Sequence, residues 1–121
     1  MAGIEIRPAV ATDLGTLRRF EQGIVAAERA FDPTRRAAGV EYYPLEQMLA
    51  SPDVSVVIAQ AGATPIGCGF ARIDVSKPYL RHARHAYLGL MYVEPAFRGR
   101  GVLQQILAAL KDWCASRAIQ E

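Results

Sequence analysis

The stretch Val93–Leu107, VEPAFRGRGVLQQIL, decides how this chain is read. A β-branched strand runs up to Val93, and Pro95 blocks further regular pairing. Arg98-Gly99-Arg100-Gly101 follows, and a helical pattern starts at Val102. A glycine-rich turn opening straight onto a helix is built to bind phosphate. The first helical N–H groups have no internal partner, and the helix dipole places partial positive charge there. Glycines let the backbone approach an anion closely, and arginines add charge-assisted contacts.

Two other phosphate loops fit badly. A P-loop needs Gly-Lys followed by Ser or Thr, and here Val102 follows Gly101. A dinucleotide fingerprint needs three spaced glycines after a first strand and an acidic residue about twenty positions on. Here there are two glycines, late in the chain.

Working outward, Ile4-Glu5-Ile6 alternates as a first strand. A helix is expected from Leu14, capped by Thr12 or Asp13 and ended by Asp32-Pro33. Leu14, Leu17, Phe20, Ile24, Ala27 and Phe31 share one arc of it. Gly23 lowers its propensity by about 1 kcal/mol and is expected to bend or split it. Residues 33–43 read as loop, and Pro44–Ala50 as a short helix with proline in its first turn. Strands are expected over Val54–Gln60, Pro65–Val75 and Ala86–Val93, with Ile66, Cys68 and Phe70 on one face of the second. Leu103, Ile106, Leu107, Leu110, Trp113 and Cys114 form the apolar arc of the last helix.

The chain has 121 residues, a length that suits one domain over 1–121 burying about two-thirds of its unfolded surface. No apolar run approaches a membrane span and no secretory signal is visible, so no membrane partner is expected. Two cysteines make neither a disulfide scaffold nor a metal set, so a cytoplasmic location and no metal are expected. A net charge of +2 argues little for nucleic acid. Only the basic stretch Lys77–His85 points that way, and nucleic acid is not expected as a partner.

Glu21 and Glu28 are the candidate catalytic residues. They are seven apart and fall within the apolar arc of the first helix. A carboxylate there is paired or lines a cavity, and can serve as a base or hold a cationic amine. The plainer alternative is a structural ion pair with Arg29 or Arg72. Tyr42, Tyr43 and Phe31 are weaker candidates for an acceptor pocket, and His82 and His85 for a base. Cys68 and Cys114 sit at apolar positions and read as core.

The order Val93-x-Pro95, Arg98, Gly101 resembles motif A of the GNAT acyltransferases, in which Arg or Gln-x-x-Gly-x-Gly or Ala follows a strand ending Val-x-Pro. Leu103 stands where Gly or Ala is usual. Residues 1–14 resemble the family's first strand and helix start, and PIGCGFARI its third strand. FEQGIVAAERAFDP and AYLGLMYV resemble a bacterial subgroup. The resemblance implies a mixed α/β (α+β) acyl-CoA N-acyltransferase fold, with a mostly antiparallel sheet flanked by helices. It implies acetyl-CoA as acyl donor, transferred directly to an amine, with no metal and no covalent enzyme intermediate. Met91, Tyr92 and Val93 would face the pantetheine and thioester. Arg98, Gly99, Arg100, Gly101, Val102 and Leu103 would hold the pyrophosphate.

In the family a further strand, a helix and a hairpin follow the position of Glu121. The resemblance therefore implies a C-terminally truncated domain. The strand ending at Val93 would then be an open edge and Trp113 uncovered, and a homodimer is expected. A non-catalytic CoA-binding or dimerisation module is the alternative from a different class.

Overall fold

The computed structural model describes residues 3–31, 44–75 and 84–117. Four strands form one antiparallel sheet in the order β1 (Ile4–Pro8), β2 (Val54–Ala61), β3 (Thr64–Val75), β4 (Arg84–Val93). Helices α1 (Leu14–Phe31) and α2 (Leu45–Ala50) cover one face, and α3 (Val102–Ser116) covers the other. This is the mixed architecture expected from the sequence.

The central strands explain the layers. Val56, Val57, Ile58 and Ala59 of β2 are all buried, as a strand covered on both faces requires. Val56 and Ile58 join Leu17 and Phe20 of α1, Leu45 and Met48 of α2, and Cys68, Phe70 and Leu90. Val57 and Ala59 join Ile106, Leu110 and Cys114 of α3.

Entry into α1 is fixed by Asp13. Its carboxylate accepts the Val10 N–H at 2.7 Å and two bonds from Arg7, at 2.8 and 2.9 Å. The Arg7 bonds hold Asp13 below the usual carboxylate range against the opposing effect of burial, and the Val10 N–H reinforces them. Asp13 was expected to cap α1 from its side chain, but its carboxylate reaches backward to Val10 and Arg7 and so braces the turn before the helix. Gly23 does not split α1, which runs unbroken to Phe31. Among the described side chains of α1 the deepest are Leu17, Phe20, Glu21 and Val25, with Ile24 only half-buried.

The expected common face for Ile66, Cys68 and Phe70 is not found. Ile66 faces α3, whereas Cys68 and Phe70 face α1 and α2. The cause is a register shift. Ala59 pairs with Gly67 but Gln60 pairs with Pro65, which leaves Ile66 as an extra residue in β3. A bulge interrupts the two-residue alternation and sends the side chain to the other side.

Trp113, expected to stand uncovered, does not. Trp113 is half-buried against the α3-side core, with the Arg117 guanidinium 5.0 Å from its ring centroid. Arg117 is itself fixed by donating to the Pro52 carbonyl at 2.6 Å. The other expectation holds among the described residues: β4 is an edge of the sheet. It exposes Tyr87 (45%) and Leu88 (37%).

Candidate cofactor cleft

β4 does not reach Val93 as a regular strand. Cys68 pairs with Tyr92 and Phe70 with Gly89, so Gly69 alone opposes Leu90 and Met91. Leu90 takes φ +52°, a left-handed conformation that is costly for a branched residue. Surrounding contacts hold it there: its side chain is buried, and its carbonyl accepts the Cys68 thiol at 3.2 Å. Such a bulge takes backbone groups out of the ladder and re-aims the strand end.

Beyond the bulge, Met91 packs on the α3 side and Tyr92 on the α1 side. The chain then tightens into a turn at Pro95–Phe97, and the Glu94 N–H bonds the Ile66 carbonyl at 2.7 Å. Gly99 and Gly101 both take φ +79°, which only glycine adopts without strain. Gly101 caps α3 with no side chain, and the Gln105 N–H is the one that bonds its carbonyl. The N–H groups ahead of it in the first turn therefore lack helical partners.

These features enclose a cleft of about 450 Å³. Met91, Tyr92 and Val93 line it from β4, Arg98, Gly99 and Gly101 from the loop, and Val102 and Leu103 from α3. Phe97 and Gln104 also line it. Neither stood out in the sequence, although both lie inside the quoted stretch. A tight turn and the first turn of a helix necessarily share one mouth.

The two arginines part company. Arg98 lines the cleft, its Nε donating to the Val93 carbonyl at 2.8 Å and its Cζ 5.6 Å from the Tyr92 ring centroid. Arg100 is not among the lining residues and lies over Phe97, 5.5 Å from its centroid. Glu94, the acidic residue beside the loop, faces Arg19 at 3.9 Å.

Glu21 lies on the sheet-facing side of α1, 0% exposed, and pairs with Arg18 at 3.7 Å. It does not line the cleft. A substrate amine has no open route to a fully buried carboxylate. Arg18 was not among the partners expected for Glu21, which were Arg29 and Arg72. Burial, with the nearby Glu21 charge, pushes the Cys68 thiol far above its ordinary range, and burial also raises Cys114. Both cysteines thus behave as core, not as nucleophiles. The side chains of Glu28, Phe31 and His85 lie outside the described residues, as do Tyr42, Tyr43, His82 and most of the basic stretch from Lys77. Among the described residues, no helix is long and apolar enough to cross a membrane.

A bulged edge strand running into a glycine loop and a bare helix N-terminus is the arrangement of an anion-binding α/β protein. Residues 22–121 match the model of the acetyltransferase (GNAT) family, and the chain belongs to that family. No curated protein matches it in sequence. Solved structures share the fold at low identity. A predicted acetyltransferase with acetyl-CoA from Clostridium acetobutylicum is 20% identical with TM-score 0.77, over 98% of this chain and 78% of that one. The aminoglycoside N-acetyltransferase AAC(6')-Iy in complex with CoA is 23% identical with TM-score 0.75, over 100% and 75%. A GCN5-related N-acetyltransferase from Ralstonia eutropha is 21% identical with TM-score 0.72, over 97% and 79%.

Proposed function

We propose that the protein is an N-acetyltransferase that moves the acetyl group of acetyl-CoA directly to an amine of a small molecule or peptide. The observation that carries this is the cleft between the bulged end of β4 and the uncapped N-terminus of α3. The pyrophosphate lies against the amides of residues 98–103, where two left-handed glycines keep side chains away. The thioester end lies along Met91–Val93. There, backbone donors freed by the bulge polarise the carbonyl as charge develops on it. Similar folds with acetyl-CoA and CoA bound support the donor, and an aminoglycoside enzyme among them supports an amine acceptor.

Arg98 holds the strand end and offers the rest of its guanidinium to the anion. Arg100 acts from the rim. The amine nitrogen attacks the thioester carbonyl without a metal or an acyl-enzyme; the C–N bond forms, the C–S bond breaks, the nitrogen gives up a proton to solvent, and CoA leaves as a thiolate that takes one up to become the free thiol. The protein works in the cytoplasm, as a homodimer formed through the open edge of β4.

One observation favours a second reading. Among the described residues that line the cleft, none is Asp, Glu, His or Cys, and Tyr92 is the one hydroxyl-bearing side chain. A non-catalytic CoA-binding module would need no general base.

Calorimetry with CoA tests the shared part. Arg98→Glu with Arg100→Glu should weaken binding by an order of magnitude or more, since each charge-assisted contact is worth about 1.5–3 kcal/mol. Unchanged affinity would overturn the site. Thiol release from acetyl-CoA that depends on an added amine separates enzyme from binding module.

A further inference from the structure

Gly23 sits in the middle of α1, where glycine is a poor helix former. A Cβ placed on it would lie 2.7 Å from Tyr92 Cε1 and 2.8 Å from both Cζ and Oη. The Tyr92 ring therefore rests on the bare backbone of α1. The same ring meets Phe20 with centroids 5.2 Å apart and carries the Arg98 guanidinium over it. Arg98 in turn ties the cofactor loop to the Val93 carbonyl. Gly15, in the same helix, has nothing within 4 Å of such a Cβ. Crowding thus separates the two glycines.

We propose that Tyr92 is a positioning residue that couples α1 to the cofactor loop, with Gly23 as the seat that fixes where its ring, and hence Arg98, lies. The proposal rests on the reading of the cleft as the CoA site. A guanidinium over an aromatic face follows that face, because the attraction depends on its place above the ring. A ring displaced by a side chain at position 23 carries Arg98 with it and loosens the loop. The coupling is reciprocal: whatever moves α1 changes CoA affinity, and CoA binding braces α1 by the same factor.

The test compares Gly23→Ala with Gly15→Ala in the whole chain. The first readout needs no ligand. The Arg98 Nε–H resonance should shift in Gly23→Ala and stay in place in Gly15→Ala. Tyr92→Leu, which removes the ring and leaves the sequence of α1 unchanged, should shift it as well. The second readout is calorimetry with CoA. Gly23→Ala should bind about fivefold or more weakly, the lower end of coupling between sites. Gly15→Ala should bind as the parent does. In an Arg98→Gln background, Gly23→Ala should add no further loss, because the two changes break one linkage. An unmoved Arg98 resonance, equal weakening by both glycine variants, or additive losses would overturn the coupling. A parent protein that does not bind CoA would overturn the proposed function, while the Arg98 resonance still decides the coupling.

Discussion

Asp13 and Cys68 show how much this fold asks of single side chains. Arg7, by its hydrogen bonds first, keeps the Asp13 carboxylate ionised below its usual range. Its folded value is therefore lower than its unfolded one. The stability this supplies is present above the unfolded value near 4 and is lost as pH falls through the folded value. Urea unfolding between about pH 2 and pH 6 should show that loss in the parent and a flatter profile in Asp13→Asn. Near neutrality Asp13→Asn should be about 1.5–3 kcal/mol less stable. An acid limb identical in both would remove Asp13 from the account. Cys68 serves the bulge. Cys68→Ala leaves the Leu90 carbonyl without its donor in a buried place and should cost about 1–3 kcal/mol, whereas Cys68→Ser keeps a donor and should cost less. Urea midpoints that rank Ser below Ala would contradict this role.

At the scale of elements, the strands and α3 were legible because burial imposes simple periods on them. Val54–Gln60 reads as a strand from its β-branched run, one residue short of the strand observed, and the arc of Ile106, Leu110 and Cys114 gives α3 its sheet-facing side. The glycine turn before α3 was legible for a related reason, since glycines at left-handed positions before a helix are local signals. The two bulges were not. Ile66 changes face and Leu90 turns left-handed because of pairing between strands, and no residue in either run announces it. The seat under Tyr92 was hidden as well, since Gly23 reads as a weak helix residue until β4 is laid across α1. Leu103 is where the loop departs from its family. It is 40% exposed and lines the cleft, so its truncation costs little packing. Leu103→Ala should keep the fold and tighten CoA binding by up to about tenfold, or 1.4 kcal/mol. Weaker binding by calorimetry would mean that Leu103 is a contact, not an obstruction.

At the scale of the molecule, two helical layers enclose the sheet and leave its fourth strand open among the described residues. With Trp113 covered by Arg117, that strand is left as the surface for self-association, with Tyr87 and Leu88 exposed on neighbouring positions. Light scattering should report a dimer at micromolar concentration. Leu88→Lys should shift it toward monomer, because a charge at an edge opposes strand pairing. A monomer throughout would end the dimer proposal. The order of the strands has one more consequence, which concerns time. β2, β3 and β4 follow one another along the chain and pair in that same sequence, so their contacts close over short spans. β1 pairs with β2 only after the whole excursion through α1 and α2 has been looped out, as Ile4 against Ala61 shows. Loop closure costs more for the longer span, so the meander assembles first and the N-terminal strand docks last. In stopped-flow refolding, Ile6→Val should mainly speed unfolding, whereas Ile58→Val should slow folding.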